Sequence, residues 1–223
     1  MMTNLFSIFD PTAPPFPPIN WLSMMTPILL LPPTLWLKKN KISLLHSNLL
    51  LTLHQEAKLL MGPSFSPGSP LLLLAVLWFI MLNNSMGLLP HVFTATSHLL
   101  LSISMALPCW LTFLLFGWIK NTNHMFSHLV PLGTPTYLAS FMICVETISN
   151  LIRPITLSVR LSANMIAGHL IMTLLSSCFS LNTTINMMLL TPEMLLITLE
   201  SAVAIIQAYV FMVLLTLYST ESH

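Results

Sequence analysis

Long apolar stretches separated by short polar connections run along the whole sequence. Residues 71–89 and 96–119 each supply the roughly 20 apolar residues that a membrane-spanning helix needs. Because short connections join elements that lie side by side, we predict that these two spans form an antiparallel hairpin. Residues 21–37 predict an earlier span, which Pro27, Pro32 and Pro33 should shorten or kink.

Polar positions distinguish the remaining elements. Residues 41–61 combine leucines with histidines and charged groups, a pattern typical of an amphipathic helix in the membrane interface. Residues 136–179 and 192–218 are longer than a perpendicular span, so we predict two long helices that tilt or bend. Thr191, Pro192 and Glu193 have the order of a helix start, with a capping threonine, a proline at the first position and an acid in the first turn.

These elements predict an all-α integral membrane protein of about five to six helices in a single membrane domain. Its parts are an N-terminal span with an interfacial helix in 1–61, a transmembrane hairpin in 71–119 and a pair of long helices in 134–223.

Composition supports a membrane protein, because hydrophobic residues make up 55% of the chain and charged residues 6%, with a mean hydropathy of +0.85. A formal net charge of +1 argues against a basic nucleic-acid-binding surface. The widely spaced Cys109, Cys144 and Cys178 predict buried thiols without a disulfide framework. The N-terminal residues lack the features of a signal or transit peptide, so we expect no cleaved leader.

The basic residues predict the orientation of the chain in the membrane. Four lysines lie between the first two apolar segments and one follows the segment that ends at residue 119. They are Lys38, Lys39, Lys41, Lys58 and Lys120. Because positive charges favour the inner side, both connections lie on that side and the N-terminus lies outside.

A polar stripe follows one face of the predicted helix at 136–179. At 100° per residue its members fall within about 80° of each other. They are Glu146, Asn150, Arg153, Arg160 and Asn164. An arginine at bilayer depth costs roughly 2.5 to 3.5 kcal/mol and cannot lose its proton, so Arg160 is a candidate functional residue. We expect Pro154 to bend this helix, and His169, about 180° from Arg160, to face a different neighbour.

The last predicted helix carries a second polar row. Glu193, Glu200 and Gln207 are spaced by seven residues and stay within about 40° of each other, and Glu221 ends the row. Two long helices therefore both present titratable or hydrogen-bonding groups.

These residues lead to a resemblance. Residues 157–169, Leu-Ser-Val-Arg-Leu-Ser-Ala-Asn-Met-Ile-Ala-Gly-His, resemble the signature of the subunit a family of F-type ATP synthases. Residues 84–90, Asn-Ser-Met-Gly-Leu-Leu-Pro, resemble the end of the family's third helix. Glu146 precedes the arginine by fourteen residues as in that family, and Glu200 with Gln207 resembles its final-helix pair.

Two features refine this resemblance. His169 paired with Glu200, in a chain of 223 residues, is similar to mitochondrial members, whereas bacterial members tend to be longer and to exchange these two residue types. Ser162 departs from the family pattern, which often has phenylalanine there. We expect this difference to alter packing and leave the chemistry unchanged.

The resemblance implies a proton-conducting stator subunit that is not itself catalytic and needs no cofactor or metal. It would form two offset half-channels in the mitochondrial inner membrane, against a ring of carboxylate-bearing c subunits and beside other membrane-sector and peripheral-stalk subunits. Protons crossing it would turn the ring and drive ATP synthesis. The N-terminus would lie in the intermembrane space.

The resemblance also implies roles for single residues. Arg160 would separate the half-channels, because its fixed charge attracts a ring carboxylate and cannot relay a proton. In the outer half-channel His169 and Glu200 would pass protons, lined by Asn84, Asn164 and Gln207. Glu146 and Glu221 would serve the matrix side. Ala163, Ala167 and Gly168 would let the helix approach the ring closely.

Other interpretations remain open from the residues alone. A secondary transporter should show internal repeats, which are not visible, and a haem or quinone subunit needs facing axial ligands, whereas only His169 lies well inside an apolar stretch. Arg153 has a structural alternative, an ion pair with Glu146. His124 and His128 have the spacing of a metal pair, but we predict that they are solvated loop histidines.

Overall fold

The computed structural model describes residues 6, 9–12, 19–32, 40–62, 68–89, 92–130, 135–178 and 183–221. Within these ranges the chain is helical and contains no β-strand. Its α-helices are α1 (Thr26–Leu30), α2 (Lys41–Met61), α3 (Ser69–Gly87), α4 (Leu99–Lys120), α5 (Thr122–His128), α6 (Thr136–Ser177) and α7 (Thr183–Glu221). Short 3-10 turns occupy Ile19–Met25 and Ala95–Ser97. The all-α membrane fold predicted from the sequence is confirmed.

Four helices in the described part of the chain are long and apolar enough to cross a membrane. They are Ser69–Gly87, Leu99–Lys120, Tyr137–Ser177 and Asn186–Thr220. The predicted first span is different, because a 3-10 turn and the five-residue α1 replace a continuous helix, and α1 ends before Pro32 and Pro33. Residues 33–39 of that span lie outside the described residues.

The predicted amphipathic helix has the bounds of α2, residues 41–61. It ends at Gly62, where the chain turns through a φ of +75°, a conformation that favours glycine. The amide of Gly62 donates a hydrogen bond to the carbonyl of Lys58 at 3.2 Å, which closes the last turn. α2 packs on α3 and α7. Its position in the membrane interface stays a prediction.

The order of the helices in space differs from their order in the chain. α3 and α4 lie close to the predicted hairpin bounds, but they hardly contact each other, so the side-by-side arrangement expected for them is absent: α3 packs mainly along α7, and α4 mainly along α6. The core between α3 and α7 contains Leu73, Leu77, Phe211, Met212 and Leu215, each 3% exposed or less. The pair of C-terminal helices therefore lies between α3, which packs on α7, and α4, which packs on α6.

α7 begins at Thr183, so the helix start predicted at Thr191–Glu193 is wrong. Pro192 lies inside the helix, where it removes the hydrogen bond that its amide would donate to the carbonyl of Met188. The hydroxyl of Thr191 donates to that carbonyl instead, at 3.1 Å. This local replacement explains how the helix continues through a sequence that resembles a start signal.

α7 is longer than predicted at both ends, and α6 begins at the predicted residue and ends two residues before the predicted end. α6 has 42 residues and contains Pro154 in its interior, and α7 has 39 residues. At 1.5 Å per residue each helix is about 60 Å long, twice the roughly 30 Å of a bilayer core. These lengths support the prediction that both helices tilt or bend.

The cysteines and the 121–134 connection require corrections. Cys109 is partly buried, but Cys144 and Cys178 are exposed, and all three are free thiols. The prediction of buried thiols is wrong for those two because the lipid-facing surface of a membrane protein is as apolar as its interior. The predicted histidine loop contains α5, and the side chains of His124 and His128 lie outside the described part.

Candidate functional site

A cleft of about 290 Å³ lies between α6 and α7. Its polar lining consists of Asn164 from α6 and of Glu200 and Gln207 from α7. These are three of the residues that the sequence predicts to line a channel. The apolar lining consists of Ala167, Gly168, Ile171, Met172, Leu196, Leu199 and Val203. The cleft has room for several water molecules, since each takes up about 30 Å³ in the liquid.

Gly168 gives Glu200 its place in the cleft. A Cβ added to Gly168 would lie 2.6 Å from Cδ of Glu200, so the absence of a side chain lets the carboxyl group pack directly on α6. Glu200 is 7% exposed. Gly168 therefore has a contact inside the chain, whereas Ala163 and Ala167 are exposed. The close approach of these three residues to a ring stays a prediction.

His169 follows Gly168 and lies beside the N-terminal segment. The ring of Phe9 meets the His169 ring edge to face, with centroids 6.2 Å apart. The Nε2 atom of His169 and the Oε1 atom of Glu200 are both buried and have no hydrogen-bond partner in the described chain. Buried polar atoms are normally hydrogen-bonded to protein or water, so these two atoms indicate a hydrated site.

Asn84 connects α3 to the same region of α7. It is 1% exposed, and its Nδ2 donates to the carbonyl of Ala204, one turn from Glu200, at 3.5 Å. Its Oδ1 is a third buried atom without a hydrogen-bond partner among the described residues. The end of α3 approaches this point because Gly87 leaves space for Thr94, whose Cγ2 would lie 2.9 Å from an added Cβ.

Arg160 lies outside the cleft, on the exposed face of α6. Asn164, four residues further along, places one end of the cleft about 6 Å from the level of Arg160. The surrounding surface is apolar and includes Val159, which is 42% exposed, and Ile155, which is 55% exposed. Within the described ranges the guanidinium of Arg160 makes no ion pair or hydrogen bond. An unpaired cation on an apolar face is suited to an acidic partner outside the chain.

A second polar group lies towards the other end of α6. Glu146 and Arg153 form an ion pair with 4.0 Å between Oε1 and Nη2, and the Arg153 guanidinium lies 5.3 Å from the centre of the Tyr218 ring. The ion pair with Glu146, which was the structural alternative for Arg153, is therefore present in the fold. Glu221 is the last residue of α7, and its side chain is outside the description.

The contacts between α6 and α7 define their relative direction. Residue 168 lies opposite residue 200, and residue 153 lies opposite residue 218. The two helices are therefore antiparallel, and Asn164 of the α6 stripe lies across the cleft from Glu200 and Gln207 of the α7 row, whereas Arg160 lies outside the cleft. The sequence did not predict the contact of Phe9 with His169 on α6 or that of Gly168 with Glu200 on α7, because neither Phe9 nor Gly168 belongs to a spacing pattern that points to its partner.

The fold and the cleft define a helical multi-pass membrane protein with a polar path between two long antiparallel helices. The ATP synthase A chain family matches residues 19–220. The chain belongs to this family.

Three relatives have nearly the same length as this chain. It is 54% identical over 224 residues to ATP synthase subunit a of Aedes albopictus and 55% identical over 223 residues to that of Locusta migratoria. It is 54% identical over 222 residues to that of Drosophila simulans. Each comparison covers 99% of both chains. The family resemblance predicted from residues 157–169 is confirmed, and the alternatives of a transporter or a redox subunit are not favoured.

The contact between Gly168 and Glu200 leads to a first prediction. In Gly168→Ala the new methyl group displaces the carboxyl group of Glu200, which can rotate away, so we expect little change in the thermal stability of the assembled complex. Proton pumping should fall about tenfold or more, because small displacements of a reacting group have effects of this size. Both quantities can be measured on vesicles that contain the complex.

Gly68→Ala is the matched control, since nothing lies within 4 Å of a Cβ added there. Normal pumping by Gly168→Ala, or an equal loss in both variants, would show that the close approach to Glu200 has no functional importance.

Proposed function

We propose that this chain is the proton-conducting stator subunit of a rotary ATP synthase and forms two offset half-channels against a ring of c subunits. The observation that carries the proposal is the cleft between α6 and α7, which contains Asn164, Glu200 and Gln207 and ends about one turn from Arg160. A polar path that stops beside a fixed charge has the form of a half-channel.

In this proposal the cleft is the outer half-channel, open to the intermembrane space. Protons pass between His169 and Glu200, whose buried atoms lack partners in the described chain. Asn84, Asn164 and Gln207 hold water along the path by offering amide donors and acceptors. The proton then reaches the ring carboxylate that faces the exposed side of α6.

Arg160 separates the two half-channels. Its guanidinium favours the ionised form of a ring carboxylate, so the arriving carboxylate releases its proton towards the matrix side. Arginine does not lose its own proton near neutral pH, so no proton crosses directly from one half-channel to the other. The ring must turn through the lipid before the next release. Moving one charge through 100 mV provides about 2.3 kcal/mol to drive this rotation.

The matrix half-channel begins at Glu146 in this proposal. Its ion pair with Arg153 keeps a carboxylate on the same helix as Arg160, towards the opposite end from the cleft. Because Tyr218 lies beside Arg153 and α7 is antiparallel to α6, the backbone of Glu221 lies about one turn from the level of Glu146. Two acids at neighbouring levels provide an exit for protons leaving the ring.

The partners and location follow from the same proposal. The exposed face of α6 around Arg160 contacts the c-ring, and the other lipid-exposed surfaces meet further membrane-sector and peripheral-stalk subunits. The chain lies in the mitochondrial inner membrane with its N-terminus in the intermembrane space. It has no catalytic centre of its own, and ATP is made by other subunits of the complex.

Aqueous access to the cleft tests the proposal. After Cys109, Cys144 and Cys178 are replaced by serine, Val203→Cys places a thiol in the cleft, and Leu107→Cys places one on the outer surface of α4, where residue 107 is 42% exposed. A membrane-impermeant thiol reagent should modify Val203→Cys at least about tenfold faster, because only a hydrated thiol forms the reactive thiolate.

The reagent should act from the intermembrane-space side alone. Mass spectrometry of the labelled chain measures the rate from each side of the membrane. Equal rates at both positions would show that the cleft is dry, and labelling of Val203→Cys from the matrix side would reverse the assignment of the half-channels.

A further inference from the structure

Glu193 has no role in the half-channel described above, although it belongs to the polar row of α7. Seven residues separate it from Glu200, which places it within about 20° of Glu200 around the helix. The distance along the axis is about 10 Å. Glu193 therefore lies beyond Glu200 on the side of the α6–α7 connection.

The lining of the cleft points towards Glu193. On α7 the wall of the cleft contains Leu199 and a series with steps of three and four residues, which consists of Leu196, Glu200, Val203 and Gln207. One further step of three residues, from Leu196 towards the start of α7, reaches Glu193. On α6 the lining extends outward to Ile171 and Met172, the same direction in the antiparallel pair.

The environment of Glu193 differs from that of its neighbours in the sequence. Met194 is 57% exposed and Leu195 is 71% exposed, as expected for lipid-facing side chains, whereas Glu193 is partly buried. Its side chain makes no ion pair or hydrogen bond in the part of the chain that the structure describes. Glu193 is not one of the residues that line the cleft, but it lies one turn beyond Leu196 on the same face of α7. A carboxylate there that is not bound to the protein is available to exchange protons with water.

We propose that Glu193 is a proton-collecting carboxylate at the outer mouth of the half-channel. This inference rests on the proposed function and adds a residue to its entry path. Hydronium from the intermembrane-space side gives a proton to the carboxylate and leaves as water. The carboxylic acid returns that proton to water in the cleft, from which it reaches the His169 and Glu200 pair. A negative charge at a mouth also raises the local concentration of cations.

The charged and titratable groups around this mouth are few. On α6 they are His169 and the exposed Cys178, and on the N-terminal segment Asp10 follows Phe9, which contacts His169. Asp10 accepts hydrogen bonds from the hydroxyl and the amide of Thr12, at 2.7 and 3.0 Å, and these bonds lower the pKa of Asp10. No basic side chain of the described residues is paired with Glu193.

The test measures ATP synthesis by vesicles that contain the whole complex, driven by a fixed electrical potential while the pH on the entry side is varied. Glu193→Gln should equal the parent at about pH 6, where hydronium is plentiful. At about pH 8 it should be about twofold to tenfold slower, because collection then limits entry. Glu193→Asp should retain most of the parent rate, since it keeps the carboxylate.

Glu56→Gln is the matched control, because Glu56 is an exposed acid on α2, away from the cleft. It should follow the parent at every pH. Equal rates for Glu193→Gln and the parent across the whole range would overturn the collecting role. A loss by the same factor at every pH would overturn it too, because it would indicate a structural effect. Neither result would affect the half-channel proposal, which the thiol accessibility of Val203→Cys tests separately.

Discussion

We expect Arg160→Ala to abolish ATP-driven proton pumping by vesicles that contain the complex. Among the described charged residues of α6, Arg160 is exposed whereas Glu146 and Arg153 are partly buried, and Arg160 lies about one turn from the end of the cleft. Without the guanidinium nothing favours the ionised form of the ring carboxylate at the boundary between the half-channels. Proton uptake can be followed with a pH-sensitive dye after ATP is added.

The same variant should conduct protons passively once the ATP-making head has been removed. The fixed positive charge no longer keeps protons out of the boundary, so the two half-channels can exchange protons directly. Hydrolysis by the detached heads should be unchanged. This combination of lost pumping, increased leak and intact hydrolysis distinguishes a missing barrier from a failure of assembly.

Lys58→Ala provides the control for Arg160→Ala, because it removes an exposed positive charge from α2, outside the proposed path. Arg160→Lys adds a finer comparison. Lysine keeps the charge, but it can lose its proton when desolvated and lacks the planar fork of arginine. It should therefore pump less well than the parent. Normal pumping by Arg160→Ala would exclude the barrier role and leave the arginine with a structural or lipid-binding function.

The sequence predicts the positions of most elements because membrane spans have a strong local signal. α2 has the predicted bounds of 41–61, and α3 and α4 lie within three residues of theirs. A helical period of 3.6 residues also identifies polar side chains that share a face, and the spacing of Glu200 and Gln207 correctly places both on one wall of the cleft. Arg160 shares the polar stripe of α6 with Asn164 but lies outside the cleft, so spacing alone does not decide which members of a stripe line it.

Several features depend on contacts between distant parts of the chain and have no local signal. The packing of α3 on α7, and the approach of Gly168 to Glu200, join residues more than thirty positions apart in the sequence. The start of α7 was mispredicted because Thr191–Glu193 has the same residue types as a cap, and only the surrounding helix decides between the two. The exposure of Cys144 could not be predicted either, because hydropathy does not separate lipid-facing from buried positions.

Glu200→Gln should have the second largest effect, a loss of proton conduction of about 100-fold or more, as is typical when a positioned acid–base group is removed. Glutamine keeps the shape of the buried side chain and its contact with Gly168, but it cannot accept or release a proton. The measurement is again pumping, together with passive conduction after removal of the head. Glu56→Gln serves as the control, since it makes the same substitution on an exposed surface.

An exchange of the two relay residues tests whether titratable groups or specific side chains matter. The exchange keeps both titratable groups beside the cleft, so His169→Glu combined with Glu200→His should recover part of the conduction that Glu200→Gln loses. His169→Gln alone should resemble Glu200→Gln, because either change leaves a single titratable group beside the cleft. Full conduction by Glu200→Gln would mean that water alone carries protons to the ring, and the close contact of Glu200 with Gly168 would then serve only to pack α7 on α6.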